Sequence, residues 1–390
     1  MRGHGSVVSS VAISADGQTI VSGGDDGTVR LWNHQGLPLA KPLYGDENYV
    51  NCVAISSDGQ TIVSGGADRT VLRLWNHQGF SLAERLRGYE GIVWSVTISD
   101  DGQTIVSGGA DGTVRLWNHH QGLSLAEPLR GHKSIVDSVA ISGDRQTIVS
   151  GGRDGTVRLW NHQGLSLAEP LRGHEGVVWS AAISSDGQTI VSGGSDGTVR
   201  LWNCQGLSLA EPLRGHKSDV SSVAISADGH TIASGGDDGT VRLWNRQGLP
   251  LAEPLRGHKN YVNSVAISSD GQTIVSGGDD GMVRLWNCQG LPLAEPLHGH
   301  KNYVASVAIS SDGQTIVSGD GNGTVQLWNW QGLPLAEPLH GHEDYVASVA
   351  IRREIIPELI ILNKIVPSDY VGSITFELTC HRQELIKVAS

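Results

Sequence analysis

The stretch GHKNYVNSVAISSDGQTIVSGGDDGMVRLWNCQGLPLAEPLH, residues 257–298, is one complete unit of a chain that repeats it. The Gly-His pair that opens it returns at Gly299-His300 and stands earlier at Gly215-His216, Gly173-His174 and Gly131-His132. Inside the unit, short runs rich in Val, Ile and Thr are separated by Asp270-Gly271 and Asp280-Gly281. Such runs between turn residues read as strands, because glycine supplies the positive φ that a tight turn needs. A fixed period of about 40 residues with four strand patterns per unit reads as a radial or linear array.

Near-identical copies extend over residues 3–350. In the first, the strand patterns fall at residues 7–14, 19–24, 28–33 and 37–44. Apolar residues occupy both parities of the second strand, as at Ile20 and Val21. A strand covered on both faces reads this way, and blades stacked around a closed ring would cover it. Eleven of the 13 prolines fall in the fourth strand, among them Pro250, Pro254, Pro292 and Pro296. Proline cannot donate to a ladder, so the fourth strand is expected at the outer edge.

The Gly-His pair and the Leu-Trp-Asn that ends the third strand resemble the WD40 repeat, over about nine tenths of the chain. The resemblance implies an all-β fold, a β-propeller of four-stranded antiparallel blades. Trp32, Trp75, Trp117, Trp160, Trp202, Trp244, Trp286 and Trp328 mark the third strands, so eight blades are expected, with seven or nine as alternatives. Residues 1–351 form the expected propeller. Residues 352–390 form a C-terminal tail with two or three strand patterns, preceded by a ninth first strand at 345–351. The chain opens partway through a unit, as a fragment of a longer array would. The family usually has Trp-Asp where this chain has Trp-Asn, as at Trp160-Asn161. With the near-identity of the units, this looks like a bacterial array of recent duplication. In such proteins the propeller is often part of a larger signalling or NTPase protein.

Net charge is −12, with carboxylates in every unit. That argues against nucleic acid, which needs a basic stripe, and against an anionic membrane surface. Cys52, Cys204, Cys288 and Cys380 have no metal spacing and read as free thiols, which points to the cytoplasm. The apolar tail stretch at 354–366 is broken by Pro357, Glu358, Asn363 and Lys364 and is not a membrane span.

Two repeats depart from the rest. The second has Asp46 for histidine, Arg69 for the turn glycine, and one extra residue in Val71-Leu72-Arg73-Leu74-Trp75. An insertion inside a strand is expected to make a bulge or to reverse the facing of one side. The third has Tyr89 for histidine and a second histidine at His120, in a loop. Both repeats therefore read as weakened.

The intact repeats carry a histidine, a serine, an aspartate and a tryptophan. These are His132, Ser150, Asp154 and Trp160; His174, Ser192, Asp196 and Trp202; His216, Ser234, Asp238 and Trp244; and His258, Ser276, Asp280 and Trp286. A serine, a histidine and an acid invite comparison with a catalytic triad. Several copies in one chain make no catalytic sense, and the resemblance implies a structural hydrogen-bond network instead. No catalytic residue, cofactor or metal is therefore expected. His34, His77, His119, His120 and His162 follow the third strands on separate blades and read as a spaced ring. The Asp320 loop lacks the glutamate that ends a calcium loop.

Against this constant frame, the residues flanking the first valine of strand one and the residue before the turn aspartate vary from repeat to repeat. They include Tyr49, Trp94, Arg153, Trp179, Tyr261 and Tyr303. The resemblance places them around the mouth of the channel, and tyrosine, tryptophan and arginine are common binding hot spots. The expected function is a non-catalytic interaction scaffold that binds a partner protein or peptide there. The alternatives are a hydrolase or lyase with its site in the channel, and a carbohydrate-binding propeller.

Overall fold

The computed structural model describes residues 4–44, 49–67, 71–82, 86–89, 91–119 and 123–338. The ninth first strand, the tail, Asp46, Arg69, His120 and Cys380 lie outside these residues. Eight antiparallel sheets of three or four strands follow one another, and no helix occurs among the described residues. In the first blade, strand a is Val8–Ile13, b is Thr19–Gly24, c is Thr28–Asn33 and d is Leu43–Tyr44, in the order a-b-c-d. The later a strands are Val50–Ile55, Val93–Ile98, Val136–Ile141, Val178–Ile183, Val220–Ile225, Val262–Ile267 and Val304–Ile309.

The core lies between blades rather than within them. One cluster joins Val149, Val157, Leu159 and Leu171 of the fourth blade to Val178, Ile190 and Trp202 of the fifth. A single blade cannot cover both of its faces, so the apolar burial that holds the fold depends on its neighbours. Glycine makes this approach close. A Cβ on Gly151 would stand 2.7 Å from Val178 Cγ1 of the next blade, so no larger residue fits there.

The ring closes by face packing. Val8, Val11 and Trp32 of the first blade share a cluster with Val317, Val325 and Leu327 of the eighth. The Val11 amide donates to Ser306 Oγ at 3.2 Å across this joint, as the Val53 amide does to Ser10 Oγ, also at 3.2 Å, one joint on. At the lower end, the Ser311 amide donates to the Ala15 carbonyl at 3.1 Å and the Ala15 amide to the Ser57 carbonyl at 3.1 Å. The closing joint thus repeats the chemistry of the others.

Strand d is shorter than its sequence pattern. In the first blade, Pro38 bridges Trp32 and only Leu43–Tyr44 pairs as a strand. Proline at both ends of the segment removes donors and breaks the ladder between them. The second repeat also differs from expectation. Its extra residue makes no bulge within the b–c pairing and reverses no side chains. Thr61 pairs with Asn76, Ile62 with Trp75 and Gly65 with Leu72, in the register of every other blade. The buried b–c ladder of the second blade is therefore intact. Leu72, fully buried, occupies the place of Val29.

Candidate functional site: the upper end of the ring

The b–c turns and the loops leading into strand a share one end of the ring. Beneath it, each intact repeat builds a buried polar chain. In the fourth blade, Trp160 Nε1 donates to Ser150 Oγ at 2.9 Å, Ser150 Oγ lies 2.8 Å from His132 Nε2, and His132 Nδ1 lies 3.0 Å from Asp154 Oδ1. The Lys133 amide donates to Asp154 Oδ2 at 2.8 Å, which ties the incoming loop to the b–c turn. The same contacts join His174, Ser192, Asp196 and Trp202, His216, Ser234, Asp238 and Trp244, and His258, Ser276, Asp280 and Trp286. Burial holds His132 below the usual histidine value, against the pull of Asp154. Burial would raise Asp154, but hydrogen bonds from His132, the Lys133 amide and Thr156 hold it at about 2. The pair is a neutral imidazole and a carboxylate. The order of groups is that of a hydrolytic triad, but Ser150 is fully buried and accepts from Trp160, so no substrate reaches it.

The first blade carries the same chain and the eighth a variant, neither among the residues expected from the sequence. His4 joins Ser22 at 2.7 Å and Asp26 at 2.9 Å. In the eighth, Asn322 stands in the aspartate position, and the buried Asp320, two residues earlier, brings its carboxylate within 3.0 Å of His300. In the third blade, expected to be weakened, Tyr89 fills the place of the missing histidine. Tyr89 is buried, its hydroxyl donates to the Ser107 carbonyl at 2.7 Å and lies 2.8 Å from Ser107 Oγ, and Arg115 stacks on its ring at 4.8 Å.

Above this frame, every a strand has a β-bulge next to its first valine. The bulged residue carries no ladder partner, and its side chain is re-aimed. Ser9, Asn51, Trp94, Asp137, Trp179, Ser221, Asn263 and Ala305 hold this seat. The residue before the turn aspartate answers it. Ser9 Oγ donates to Asp25 at 2.7 Å, Asn263 Nδ2 donates to Asp279 at 2.7 Å, and Ser221 Oγ donates to Asp237. In the fourth blade the donor and acceptor positions are exchanged. Arg153 Nε and Nη2 donate to Asp137 at 3.0–3.1 Å. Trp94 and Trp179 stand opposite the small residues Ala110 and Ser195 of their own b–c turns.

Three of the six expected binding residues come together. The Arg153 guanidinium lies 5.5 Å from the Trp94 ring and 5.5 Å from the Trp179 ring, so it is held between the indoles of the two flanking blades. Trp179 Nε1 in turn donates to Asp219 of the sixth blade at 3.0 Å. Burial keeps the Asp137 carboxyl above its ordinary value in spite of Arg153. Tyr49 and Tyr261 stand apart from this stack, 54% and 52% exposed. Tyr303 lies over Gly321, where a Cβ would come within 2.6 Å of its ring. Burial, then Asp25, Asp279 and Asp320, push its hydroxyl up. Among the described residues, no group of three or more His, Cys, Asp or Glu is placed to hold a metal ion.

The family described as "WD domain, G-beta repeat" matches eight segments, residues 1–33, 37–73, 80–118, 123–161, 165–203, 207–245, 249–287 and 291–329. The chain is a WD40-repeat protein. The WD40 family generally serves as a protein-interaction scaffold and is generally non-catalytic. Among solved structures, the crystal structure of the computationally designed Ika8 protein is similar, with 29% identity and a TM-score of 0.72 over 84% of this chain and 98% of that one. No curated protein matches the chain. Asp137 and Asp219 were absent from the expected site of this WD40 ring. The opposite charges at positions 137 and 153, in the two variable slots of one repeat, were the available signal.

Proposed function

We propose that this WD40 ring is a non-catalytic scaffold that takes a partner protein or peptide on its upper end. The observation that carries the reading is the Trp94–Arg153–Trp179 stack, in which variable residues of three blades form one surface on a repeated frame. Indole rings offer a large contact area with few rotors to immobilise, and Asp137 holds the cation between them. Arg153 acts as the spacer of this surface. Asp25, Asp237 and Asp279 stand on the same end of other blades and favour a partner with basic residues at its rim, through steering more than affinity.

The test is capture by the intact chain. Trp94→Ala with Trp179→Ala abolishes capture of the partner while the melting curve stays cooperative, each truncation costing about 2 kcal/mol if it is a hot spot. His34→Ala with His162→Ala, at the lower end, leaves capture unchanged. A partner kept by the first pair and lost by the second would move the recognition surface to the other end.

A further inference from the structure

The lower end of the ring is built from the a–b and c–d turns. An open cavity of about 490 Å³ lies between the sixth and seventh blades. His230 and Thr231 line it from the a–b side of the sixth blade, Arg246 and Gln247 from its c–d turn, and Cys288 and Gln289 from the c–d turn of the seventh. His230 stands where every other repeat has glutamine, as at Gln146 and Gln188. Arg246 stands where the others have histidine, cysteine or tryptophan, as at His162, Cys204 and Trp330. Two departures from the repeat, one bringing a ring nitrogen and one a fixed positive charge, thus meet in one cavity.

No carboxylate lines this cavity, in a chain of net charge −12. Arg246 is exposed and makes no ion pair with any described residue. His230 Nδ1 lies 3.0 Å from the Asp228 carbonyl and donates to it, which leaves Nε2 as an unengaged acceptor in the neutral ring. The Asp228 carboxylate is already engaged by Ser226 Oγ at 2.6 Å and by the His230 amide at 2.9 Å. The side chain of the seventh blade keeps the space open. Between the second and third blades, His119 Nε2 reaches Thr61 Oγ1 at 3.0 Å. The equivalent residue of the seventh blade is the shorter Cys288, whose Sγ lies 3.2 Å from Gln272 in its own blade.

We propose that this cavity binds a small phosphate monoester, its phosphoryl group on Arg246 and His230. A guanidinium fork matches the geometry of phosphate oxygens, and His230 Nε2 beside it accepts the P–OH hydrogen bond of the monoanionic ester. The amides of Gln247 and Gln289 add neutral donors. The cavity of about 490 Å³ leaves room beside the phosphoryl group for an organic body.

The molecule contains its own control. The groove between the fourth and fifth blades carries Gln146, His162 and Cys204 in the corresponding positions. His230→Gln with Arg246→His turns the upper-numbered groove into a copy of it, using residues that the same turns already accommodate. The full chain is titrated with phenyl phosphate, inorganic phosphate and phenol, followed by calorimetry and by backbone amide shifts. Phenyl phosphate saturates the native chain and moves the amides of residues 228–231 and 246–247. In the double variant its affinity falls by about tenfold or more with an unchanged melting curve. Phenol fails to saturate, and inorganic phosphate binds more weakly than the ester. The proposal fails if phenyl phosphate does not saturate at millimolar concentration, or if the double variant binds it equally. Inorganic phosphate binding as tightly as the ester overturns the organic body, and phenol binding equally overturns the anion.

Discussion

The Tyr89 hydroxyl donates to the Ser107 carbonyl over 2.7 Å and so takes the place of a histidine that the third repeat lacks. Trp117 Nε1 completes the chain with a 2.8 Å bond to Ser107 Oγ. In the second blade the corresponding bond, from Trp75 to Ser64, is 3.5 Å long. That blade also has Cys52 where its neighbours have the serine that accepts from the next blade, as Ser10 does from Val53 and Ser95 from Val139. The weak region is therefore one blade, not two. Hydrogen exchange is expected to be faster in Thr61–Gly66 and Val71–Asn76 than in Thr273–Gly278 and Thr104–Gly109, because arrays open locally where neighbour contacts are poorest. Tyr89→Phe should cost about 1–3 kcal/mol in denaturant unfolding, by leaving buried partners unsatisfied. Equal protection in the second and seventh blades would count against this account.

Acid should loosen the ring in two stages. Burial depresses His4, His132, His174, His216 and His258, so these stay neutral in the fold at a pH where the unfolded chain takes up protons. Their contribution is fully present above about pH 6.5 and is lost as pH falls towards the lower folded values. Asp154, Asp196 and Asp238 are held at about 2, where hydrogen bonds outweigh burial. Their contribution is present above about pH 4 and is lost as pH falls through the folded value. The urea midpoint should be flat from about pH 8 to 7, fall below about pH 6.5, and fall again below about pH 4. A midpoint unchanged between pH 7 and 5 would show that the histidines are not held neutral by the fold.

Arg153→Ala should disturb the upper surface while the frame stays folded. The stacked cation contributes about 0.5–1 kcal/mol at a partly exposed site, and Asp137 loses its partner. Trp94 and Trp179 become more accessible to acrylamide quenching, while global stability falls by about 1–3 kcal/mol because the largely buried Asp137 carboxyl is left without its partner. Unchanged quenching would mean that the indoles hold their positions without the cation.

Much of this was legible in the chain. Eight tryptophans give eight blades, and the expected second and third strands at 19–24 and 28–33 match Thr19–Gly24 and Thr28–Asn33. These features are local and occur in every copy. What the sequence hid depends on neighbours. Nothing in a single repeat says that Tyr89 reaches Ser107, or that the extra residue of the second repeat leaves the buried b–c register unchanged. The fourth strand was read too long because its Leu and Pro pattern does not show where pairing stops. Of the six variable residues, only the three that meet across blades form a shared surface, and spacing within a repeat cannot reveal that.

The bulge beside the first valine of each blade separates two kinds of change. A residue that carries no ladder partner can be replaced without repacking the blade that holds it. The near-identical frame therefore tolerates different side chains at Ser9, Asn51, Trp94, Asp137, Trp179, Ser221, Asn263 and Ala305, although Asn51 and Asn263 also bond the backbone of the next blade. Exchanging whole blades would shuffle these eight displayed residues as a set, so one scaffold can be diversified in the manner of a combinatorial library, with new surfaces assembled from parts that already fold.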